Sequence, residues 1–411
     1  MLYVNEFVLI DLLSFSLVND FLLFCNYFDI ILWVKGEKVN LELSITEQCN
    51  LRCDYCYYRD SHEARKALMS SEVMEKAVNL AFQRTIDLKN SFLNITFFGG
   101  EPLLRMDFIR ETVTYAKKMV KLRKKDLPKK FELSFTVNTN GTVLSENIIS
   151  YLKKENFSVA LSLDGPKSMQ DLARKTVDGR GSFKYIAPYI PTLVELKASV
   201  LMVITPRHVR KFSDSVKWVF KQGFTSVGSS PDFNGKWTSE DFDALIVEYN
   251  KLARFWYKCK RQKKNFYISA IQDKISMDLL DIRQKKYTCF ISSEALVVAT
   301  NGNVFPCSRF ISSNRKAPYV LGNVLDENSG VYRNVFPKAV ESFIKNDKKQ
   351  CKNCAIRYRC LAHECGCTSF YTTGSLQGVS AEVCAHERIL CSICDEYALK
   401  LYRTDQMEYL F

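Results

Sequence analysis

Three cysteines in one short run are the residues of this chain best suited to chemistry. The run CNLRCDYC places Cys49, Cys53 and Cys56 at the spacing C-x3-C-x2-C, without a fourth cysteine beside them. A [4Fe–4S] cluster usually has four ligands, mostly thiolates. Three thiolates would leave one iron with an open coordination position, which distinguishes a reactive metal site from a structural one. A structural zinc site with a distant fourth ligand is the alternative, although C-x2-C pairs dominate zinc modules.

The residues around these cysteines resemble the signature of the radical S-adenosylmethionine (radical SAM) enzymes. The run TEQCNLRCDYCYY has the three cysteines and an aromatic residue, Tyr55, directly before the third. The resemblance implies that Cys49, Cys53 and Cys56 hold a [4Fe–4S] cluster whose fourth iron binds SAM. It also implies reductive cleavage of SAM to methionine and a 5′-deoxyadenosyl radical, which abstracts a hydrogen atom from the substrate.

The elements that would position this run alternate between strand-like and helix-like segments. Apolar or β-branched runs lie at 41–46, 93–98, 131–137, 157–163, 197–204 and 224–229, and helical periodicity lies at about 70–88, 105–122, 145–154, 182–195, 210–221 and 238–260. Six β–α units predict an α/β fold with a parallel sheet and helices outside it. Right-handed crossovers would curl the sheet into a barrel, with active-site loops after its strands. The resemblance makes this a partial (β/α)6 TIM-type barrel over 41–280.

Polar residues and glycines at the ends of the next three predicted strands are candidates for binding SAM. Two glycines permit close backbone approach to a ligand, and proline fixes the following turn. The GGEP run resembles the radical SAM motif of the same letters, whose backbone is implied to hold the amino group of SAM. Ser162 and Arg174 are candidates for the SAM carboxylate and Asn140 for the nucleoside, although each could be a cap or turn residue. The candidates are Gly99, Gly100, Glu101, Pro102, Asn140, Ser162 and Arg174.

The segment 281–411 is dense in cysteine and is predicted to form a separate small domain. Its cysteine spacing resembles the SPASM domain, which carries two auxiliary [4Fe–4S] clusters in radical SAM enzymes that modify peptides and proteins. A pair of zinc sites is the alternative. Transferred position by position, the resemblance implies one cluster on Cys351, Cys354, Cys360 and Cys384, and another on Cys289 and Cys307 with Cys365 or Cys367.

Two departures from the SPASM pattern affect the first auxiliary cluster. Four residues separate Cys360 from Cys365, where the family usually has three, and the extra cysteine expected shortly before Cys289 is absent. That cluster would then have only three thiolates and an open iron. Beyond the pattern, Cys391 and Cys394 are expected to be buried free thiols rather than a metal pair.

The resemblance implies a peptide maturase that oxidises or crosslinks a ribosomally made peptide. The alternative is an anaerobic sulfatase-maturating enzyme that forms formylglycine. That branch is implied to use an aspartate base after the second cysteine of the first auxiliary set, whereas Ser308 follows Cys307 here. Because serine cannot act as a carboxylate base at neutral pH, the peptide-maturase interpretation is favoured. Asp171 is a candidate for the base, and a non-catalytic iron–sulfur or zinc protein is a further alternative.

Composition sets the cellular context. The 411 residues suffice for two or three domains, and the 15 cysteines are grouped, which favours metal binding in a reducing cytoplasm over disulfides. The net charge of +13 suits an acidic leader peptide on the substrate. The basic runs 121–130 and 258–264 are not interleaved with aromatic residues, so we expect solvated helix ends rather than nucleic-acid binding. A reductant such as flavodoxin or ferredoxin is an expected partner.

Residues 1–40 have no assigned role. The part spanning 1–34 is rich in apolar residues but lacks the basic region of a signal peptide. Asp11, Asp20 and Asp29 interrupt it well before the about 20 apolar residues that a membrane span needs. A buried docking element is therefore expected rather than a membrane anchor.

Overall fold

A computed structural model describes residues 38–56, 66–279, 295–311, 319–332 and 338–403. The apolar amino-terminal segment 1–34 and two cysteines, Cys25 and Cys289, lie outside this part of the chain. The predictions made for them therefore stay predictions. Within the described residues, no helix is long and apolar enough to cross a membrane.

The strands and helices alternate over most of the chain. The strands are β1 (Lys38–Thr46), β2 (Phe92–Gly99), β3 (Glu132–Thr139), β4 (Ser158–Ser162), β5 (Ser199–Ile204), β6 (Ser226–Pro231), β7 (Tyr267–Ile268), β8 (Ala295–Val298), β9 (Asn303–Phe305) and β10 (Gly322–Asn323). The α-helices are α1 (Ser71–Asp87), α2 (Met106–Leu122), α3 (Glu146–Lys154), α4 (Lys167–Ala173), α5 (Phe183–Ile186), α6 (Ile190–Glu195), α7 (Phe212–Lys221), α8 (Ser239–Arg261), α9 (Ser269–Leu279), α10 (Lys338–Lys345), α11 (Leu361–Glu364), α12 (Gly366–Thr373) and α13 (Ala381–Arg403).

All ten of these strands form one sheet in the order β10-β9-β8-β1-β2-β3-β4-β5-β6-β7. Neighbouring strands from β1 to β7 pair in parallel, as each β–α unit returns the chain in the same direction. Strand β8 pairs in parallel with the other edge of β1, and β9 and β10 continue antiparallel. The predicted α/β class with a parallel sheet is confirmed.

Strand β1 shows how the sequence separates the two faces of the sheet. Its odd-numbered residues from Val39 to Ile45 are fully buried in the core that the helices cover. Its even-numbered residues face the barrel interior, because successive side chains of a strand point to opposite faces. There the Asn40 side chain accepts a hydrogen bond of 2.8 Å from Nδ2 of Asn94. Oδ1 of Asn94 in turn accepts one of 2.8 Å from the Ser134 hydroxyl. The interior is therefore lined with hydrogen-bonded polar side chains at this level.

Local signals account for the helix boundaries. Ser70 accepts a hydrogen bond from the Val73 amide at the start of α1, and Thr238 and Asp241 form a capping box at the start of α8. The helix predicted over 182–195 is interrupted into α5, a 3-10 turn and α6, because Pro188 and Pro191 lack the N–H that a continuous helix requires. The basic runs overlap the carboxyl ends of α2 and α8, where cations suit the helix dipole.

The carboxy-terminal segment is joined to the barrel by hydrogen bonds and by packing. The predicted hairpin around Asn301-Gly302 is present as β8 and β9, and β8 extends the barrel sheet beside β1. The long helix α13 packs against α8 and α9. Cys307, which follows the β8–β9 hairpin, is thus placed beside the strand that precedes Cys49.

Candidate active site

The loop with the first three cysteines follows β1 at the carboxyl edge of the sheet. The Arg52 amide donates a hydrogen bond of 2.6 Å to the Lys175 carbonyl, and the Asp54 amide donates one of 2.9 Å to the Ala173 carbonyl. The Arg52 side chain also donates to the carbonyl oxygens of Cys49 and Leu51, at 3.2 and 3.0 Å. The loop is therefore held in place by the segment that follows α4.

The turn after β2 packs directly against the segment that leads to Cys49. The Gly100 amide donates to the Thr46 carbonyl and the Glu101 amide to the Gln48 carbonyl, both at 2.8 Å. A Cβ on Gly99, which has a φ of +131°, would lie 2.1 Å from the Thr46 carbonyl oxygen, and one on Gly100 would lie 2.1 Å from that of Gln48. Only glycine fits at either position. The two glycines thus permit the approach of one backbone to another.

The Glu101 side chain joins the ends of β2 and β3. Its carboxylate is fully buried and accepts hydrogen bonds from the Leu103 amide at 3.0 Å, the Thr139 hydroxyl at 2.8 Å and the Asn140 amide at 2.7 Å. Burial raises the pKa of Glu101 to about 7, although these three donors counteract the shift. With its acceptors in use, this carboxylate stabilises the rim of the barrel.

Asn140 brings the end of β3 against the cysteine loop. Its amide nitrogen donates to Asn50 Oδ1 at 3.0 Å and lies 3.8 Å from the Cys49 sulfur. Its oxygen accepts from the amide and the hydroxyl of Thr142, at 2.9 and 2.6 Å. The structure thus places this SAM-binding candidate beside the first cysteine.

Arg174 forms a buried ion pair behind the cysteine loop. Its guanidinium donates to both oxygens of Asp164, from Nε at 2.9 Å and from Nη2 at 3.1 Å. The same carboxylate accepts from the Tyr55 hydroxyl at 2.5 Å and the Val203 amide at 3.0 Å. Burial lowers the pKa of Arg174, but the Asp164 carboxylate, together with Tyr55 and Cys53, raises it by more, so the guanidinium stays charged. Asp164 is its observed partner, and a contact with SAM stays a prediction.

The other two candidates near this edge have different surroundings. Ser162 ends β4 with a half-buried side chain, at the level where β4 pairs with Leu201 of β5. Asp171 lies on α4, where its carboxylate accepts from the Phe183 amide at 2.8 Å and pairs with Lys167 at 3.0 Å. The Phe183 contact links α4 to the start of α5, and the assignment of Asp171 as a base stays a prediction.

Three carboxy-terminal thiols converge beside the hairpin. The sulfurs of Cys307 and Cys367 are 3.5 Å apart, and those of Cys365 and Cys367 are 3.2 Å apart. The Thr368 amide donates to the Cys365 sulfur at 3.4 Å. Both sequence candidates, Cys365 and Cys367, therefore lie with Cys307. Cys289 falls outside the described residues.

The second group of carboxy-terminal thiols collects at the start of α13. Arg388 hydrogen-bonds to Cys384 and is also within electrostatic range of Cys354 and Cys360. Cys351 is within range of Cys354 and Cys384. The structure thus places the four predicted ligands in one neighbourhood. The other two thiols of α13, Cys391 and Cys394, are buried, as expected.

A buried lysine that the sequence did not reveal lies between the two groups. Lys348 is 2% exposed, and its ammonium donates to the carbonyls of Ala362 at 2.7 Å and Gly378 at 3.2 Å and to the Ser369 hydroxyl. Burial lowers its pKa, and the nearby thiols Cys365, Cys351 and Cys360 counteract this. No local pattern in the sequence distinguishes it from a surface lysine.

The donor set at the first cysteine loop fits an iron–sulfur cluster. Cys49, Cys53 and Cys56 lie within electrostatic range of one another. Burial raises the pKa of Cys49 to about 11 and that of Cys53 to about 12, so each thiol would need a bound cation to become a thiolate at neutral pH. Amide groups of Leu51 and Asn140 point at the Cys49 sulfur. Among the described residues, no three His, Cys, Asp or Glu side chains are arranged around a single metal ion.

Two family models match this chain. The first is described as the radical SAM superfamily and matches residues 43–219, which include the cysteine loop and the GGEP turn. The second, SPASM, is described as an iron–sulfur cluster-binding domain and matches residues 289–355. The matches cover the barrel from β1 through β5 and the first part of the cysteine-rich segment.

Curated and solved relatives agree with these matches. A cysteine-type anaerobic sulfatase-maturating enzyme of Clostridium novyi is 29% identical over 328 residues, which cover 75% of this chain and 83% of that protein. The structure of anSMEcpe with bound AdoMet and the Cp18Cys peptide is similar with a TM-score of 0.69 and 20% identity, covering 89% of this chain and 99% of that one. Streptococcus suis SuiB bound to its precursor peptide SuiA gives a TM-score of 0.58 and 14% identity, covering 85% and 76%.

Proposed function

Because the chain matches the radical SAM superfamily over residues 43–219 and the SPASM domain over residues 289–355, we propose that it is a peptide maturase. In this proposal the protein cleaves SAM reductively and uses the resulting radical to oxidise or crosslink a ribosomally made peptide. The observation that carries it is the placement of two cysteine groups next to one barrel interior. The first follows β1 at the sheet edge, and the group of Cys307, Cys365 and Cys367 begins just after β9, which pairs with β8 beside β1.

The two domains imply [4Fe–4S] clusters and SAM as cofactors. Cys49, Cys53 and Cys56 would hold the cluster that binds SAM, and the two carboxy-terminal groups would hold the auxiliary clusters. The SAM cluster supplies the electron that cleaves SAM, and the auxiliary clusters supply an acceptor for the electron that the substrate releases. The remaining task of the chain is positioning. The Gly99-Gly100 turn fixes the cysteine loop, and Asp164 holds Tyr55 and Arg174 behind it.

Formation of formylglycine on a sulfatase is the second candidate function. It is favoured by the Clostridium novyi relative, which spans most of this chain. Ser308 weighs against assigning the function of this relative to the chain. It occupies the position after Cys307 where the sulfatase-maturating branch is implied to have a carboxylate. The two candidates share SAM cleavage and hydrogen-atom abstraction and differ in the fate of the substrate.

The chemistry requires a source of electrons and a peptide substrate. A flavodoxin or ferredoxin would supply the electron for SAM cleavage, in a reducing cytoplasm where exposed clusters persist. An acidic leader of the substrate peptide would suit the chain's net charge of +13. The solved relatives anSMEcpe and SuiB each hold a peptide, which supports a peptide or protein substrate here.

Anaerobic reconstitution tests the proposal. We expect about four irons per cluster and release of 5′-deoxyadenosine from SAM under dithionite. The reconstituted protein is then incubated with the Cp18Cys peptide and with short peptides encoded beside its gene. Loss of two hydrogens from a neighbouring peptide supports the maturase, and replacement of the thiol of Cp18Cys by an aldehyde supports the sulfatase alternative. A protein that binds only zinc and leaves SAM intact would contradict both.

A further inference from the structure

Glu42 is an acidic residue in the interior of the barrel. It lies on β1, where it is aligned with Thr96 of β2 on one side and Val297 of β8 on the other. Its side chain shares the inner face with Asn40, which is hydrogen-bonded into a polar network. An acidic residue in the middle of a central strand is costly unless its charge is compensated. The presence of Glu42 on the inner face of β1 therefore needs a physical explanation.

The Glu42 carboxyl lacks the partners that other buried glutamates have. Its Oε1 is buried and has no hydrogen-bond partner within the described part of the chain. By contrast, Glu101 accepts three hydrogen bonds, and Glu387 pairs with Lys274 at 2.7 Å. The neighbour of Glu42 is the Ser308 hydroxyl, which hydrogen-bonds to its side chain. One carboxylate oxygen therefore has unused acceptor capacity, and the side chain as a whole is partly exposed.

This carboxyl lies at the boundary between the barrel and the auxiliary cysteines. Ser308 directly follows Cys307, and Cys307 is within electrostatic range of Glu42. A substrate side chain that reaches the interior would therefore find a carboxylate and an auxiliary cysteine group on the same side. Burial raises the pKa of Glu42 to about 7, with the Ser308 hydrogen bond opposing the shift. A group with such a pKa can both accept and release a proton near neutral pH.

We propose that Glu42 is a catalytic residue that accepts the proton from a thiol or hydroxyl of the substrate side chain as that side chain is oxidised. The inference rests on the proposed function and names its substrate class, a Cys or Ser residue of a peptide. Ser308 is a positioning residue that orients the Glu42 carboxylate. Ser308, the residue after Cys307, has no carboxylate, and Glu42 on β1 supplies one beside it.

The atoms and electrons of this step balance. A hydrogen atom from the substrate Cβ passes to the 5′-deoxyadenosyl radical and forms a C–H bond of 5′-deoxyadenosine. The substrate radical would then lose its S–H or O–H proton to Glu42 and one electron to the oxidised auxiliary cluster that the group of Cys307, Cys365 and Cys367 would hold. A C=S or C=O double bond forms. The substrate has been oxidised by two electrons, and Glu42 later returns its proton to solvent.

The test compares variants of the reconstituted holoenzyme on the Cp18Cys peptide, on its serine analogue and on the peptides encoded beside the gene. Glu42→Gln keeps the size of the side chain and removes the base. We expect product formation to fall by about 10²-fold or more, with SAM cleavage retained. Peptide deuterated at Cβ should still transfer deuterium to 5′-deoxyadenosine, because abstraction precedes proton transfer. Ser308→Ala should lower product formation by about 5-fold, the value of one hydrogen bond.

The controls separate this inference from the proposed function. Glu72→Gln, on the exposed face of α1, should react like wild type. If Glu42→Gln loses iron or folds poorly, Glu42→Asp retains a carboxylate and should show intermediate product formation. Wild-type and Glu42→Gln proteins that form product at equal rates would overturn the assignment of Glu42 and leave the proposed function intact. A wild-type protein that cleaves SAM but modifies none of these peptides would contradict the proposed function itself.

Discussion

Two glutamates, the fully buried Glu101 and the partly exposed Glu42, occupy two regions of the barrel, the rim and the interior, and differ in what surrounds them. Glu101 lies on the turn after β2 and Glu42 in the middle of β1. Burial raises the pKa of each carboxyl to about 7. At the rim, three donors hold the Glu101 carboxylate, whereas in the interior Glu42 Oε1 has no partner among the described residues. A raised pKa thus accompanies a structural role for Glu101 at the rim and an unsatisfied oxygen on Glu42 in the interior.

A raised pKa alone does not identify a functional carboxylate, because both glutamates have one. The hydrogen-bond partners distinguish the two cases, because a fully bonded group stabilises its surroundings and an unpaired one costs stability. Residues at functional sites often carry such a cost. The following predictions test whether the rim is a scaffold and the interior a reaction site.

The substitution with the largest expected effect removes a cysteine at the rim. Cys53→Ala should abolish SAM cleavage, because two thiolates cannot hold a stable SAM-binding cluster. Iron content should fall by about four atoms per chain, with the auxiliary clusters retained. Electron paramagnetic resonance and release of 5′-deoxyadenosine measure both changes. Retained SAM cleavage would refute the assignment of this triplet, and loss of all iron would show that the two regions are not independent. Cys259→Ala, in the barrel core, is the matched control.

The second prediction concerns the ion pair behind the cysteine loop. Asp164→Ala leaves the buried Arg174 guanidinium without its partner and removes the acceptor of the Tyr55 hydroxyl. Breaking a buried pair in this way costs about 3–5 kcal/mol. Anaerobic urea unfolding should show this loss, and the SAM cluster should bind less iron than the auxiliary sites. Asp178→Ala removes the carboxylate of an exposed ion pair, so it should change stability by less than about 1 kcal/mol. Equal stabilities of the two variants would contradict the scaffold role of the rim.

Much of this scaffold could be predicted from the sequence. The six β–α units were predictable because apolar periodicity is local, and the cysteine spacing indicated the position of the loop. The pairing of β8 with β1 joins distant parts of the chain, which periodicity cannot reveal. Arg174 was a candidate for binding SAM because the sequence does not show that Asp164 would face it. Glu42 could have been noticed, because it is an acidic residue at an inward position of an alternating strand, but nothing local identified Ser308 as its neighbour.

The third prediction removes the charge of the rim carboxylate. Glu101→Gln replaces one acceptor oxygen by an amide that faces donor groups, and so loses part of the bonds to Thr139 and Asn140. Leaving buried donors unsatisfied should lower stability by about 1–3 kcal/mol. Urea unfolding at pH 8 measures the difference, with Glu72→Gln as the exposed control. A variant as stable as wild type would mean that the three hydrogen bonds do not make Glu101 part of the scaffold.

In the interior, the corresponding Glu→Gln substitution is expected to raise stability rather than lower it. The pKa of Glu42 is raised from 4.5 to about 7 on folding. Between these values the folded protein holds a proton that the unfolded chain has released, so this group's contribution to stability falls as pH rises from about 4.5 to about 7. At pH 8, where the buried group is charged, Glu42→Gln should therefore stabilise the protein by about 1–3 kcal/mol.

At pH 4.5 the two proteins should have nearly equal stability, since the folded wild type is already neutral at this position. Anaerobic urea unfolding at both pH values measures the change. Destabilisation by Glu42→Gln at pH 8 would show that the carboxylate has a stabilising partner and that the interior is scaffold like the rim. Stabilisation with loss of product formation would show that the interior keeps an unfavourable charge for its chemistry.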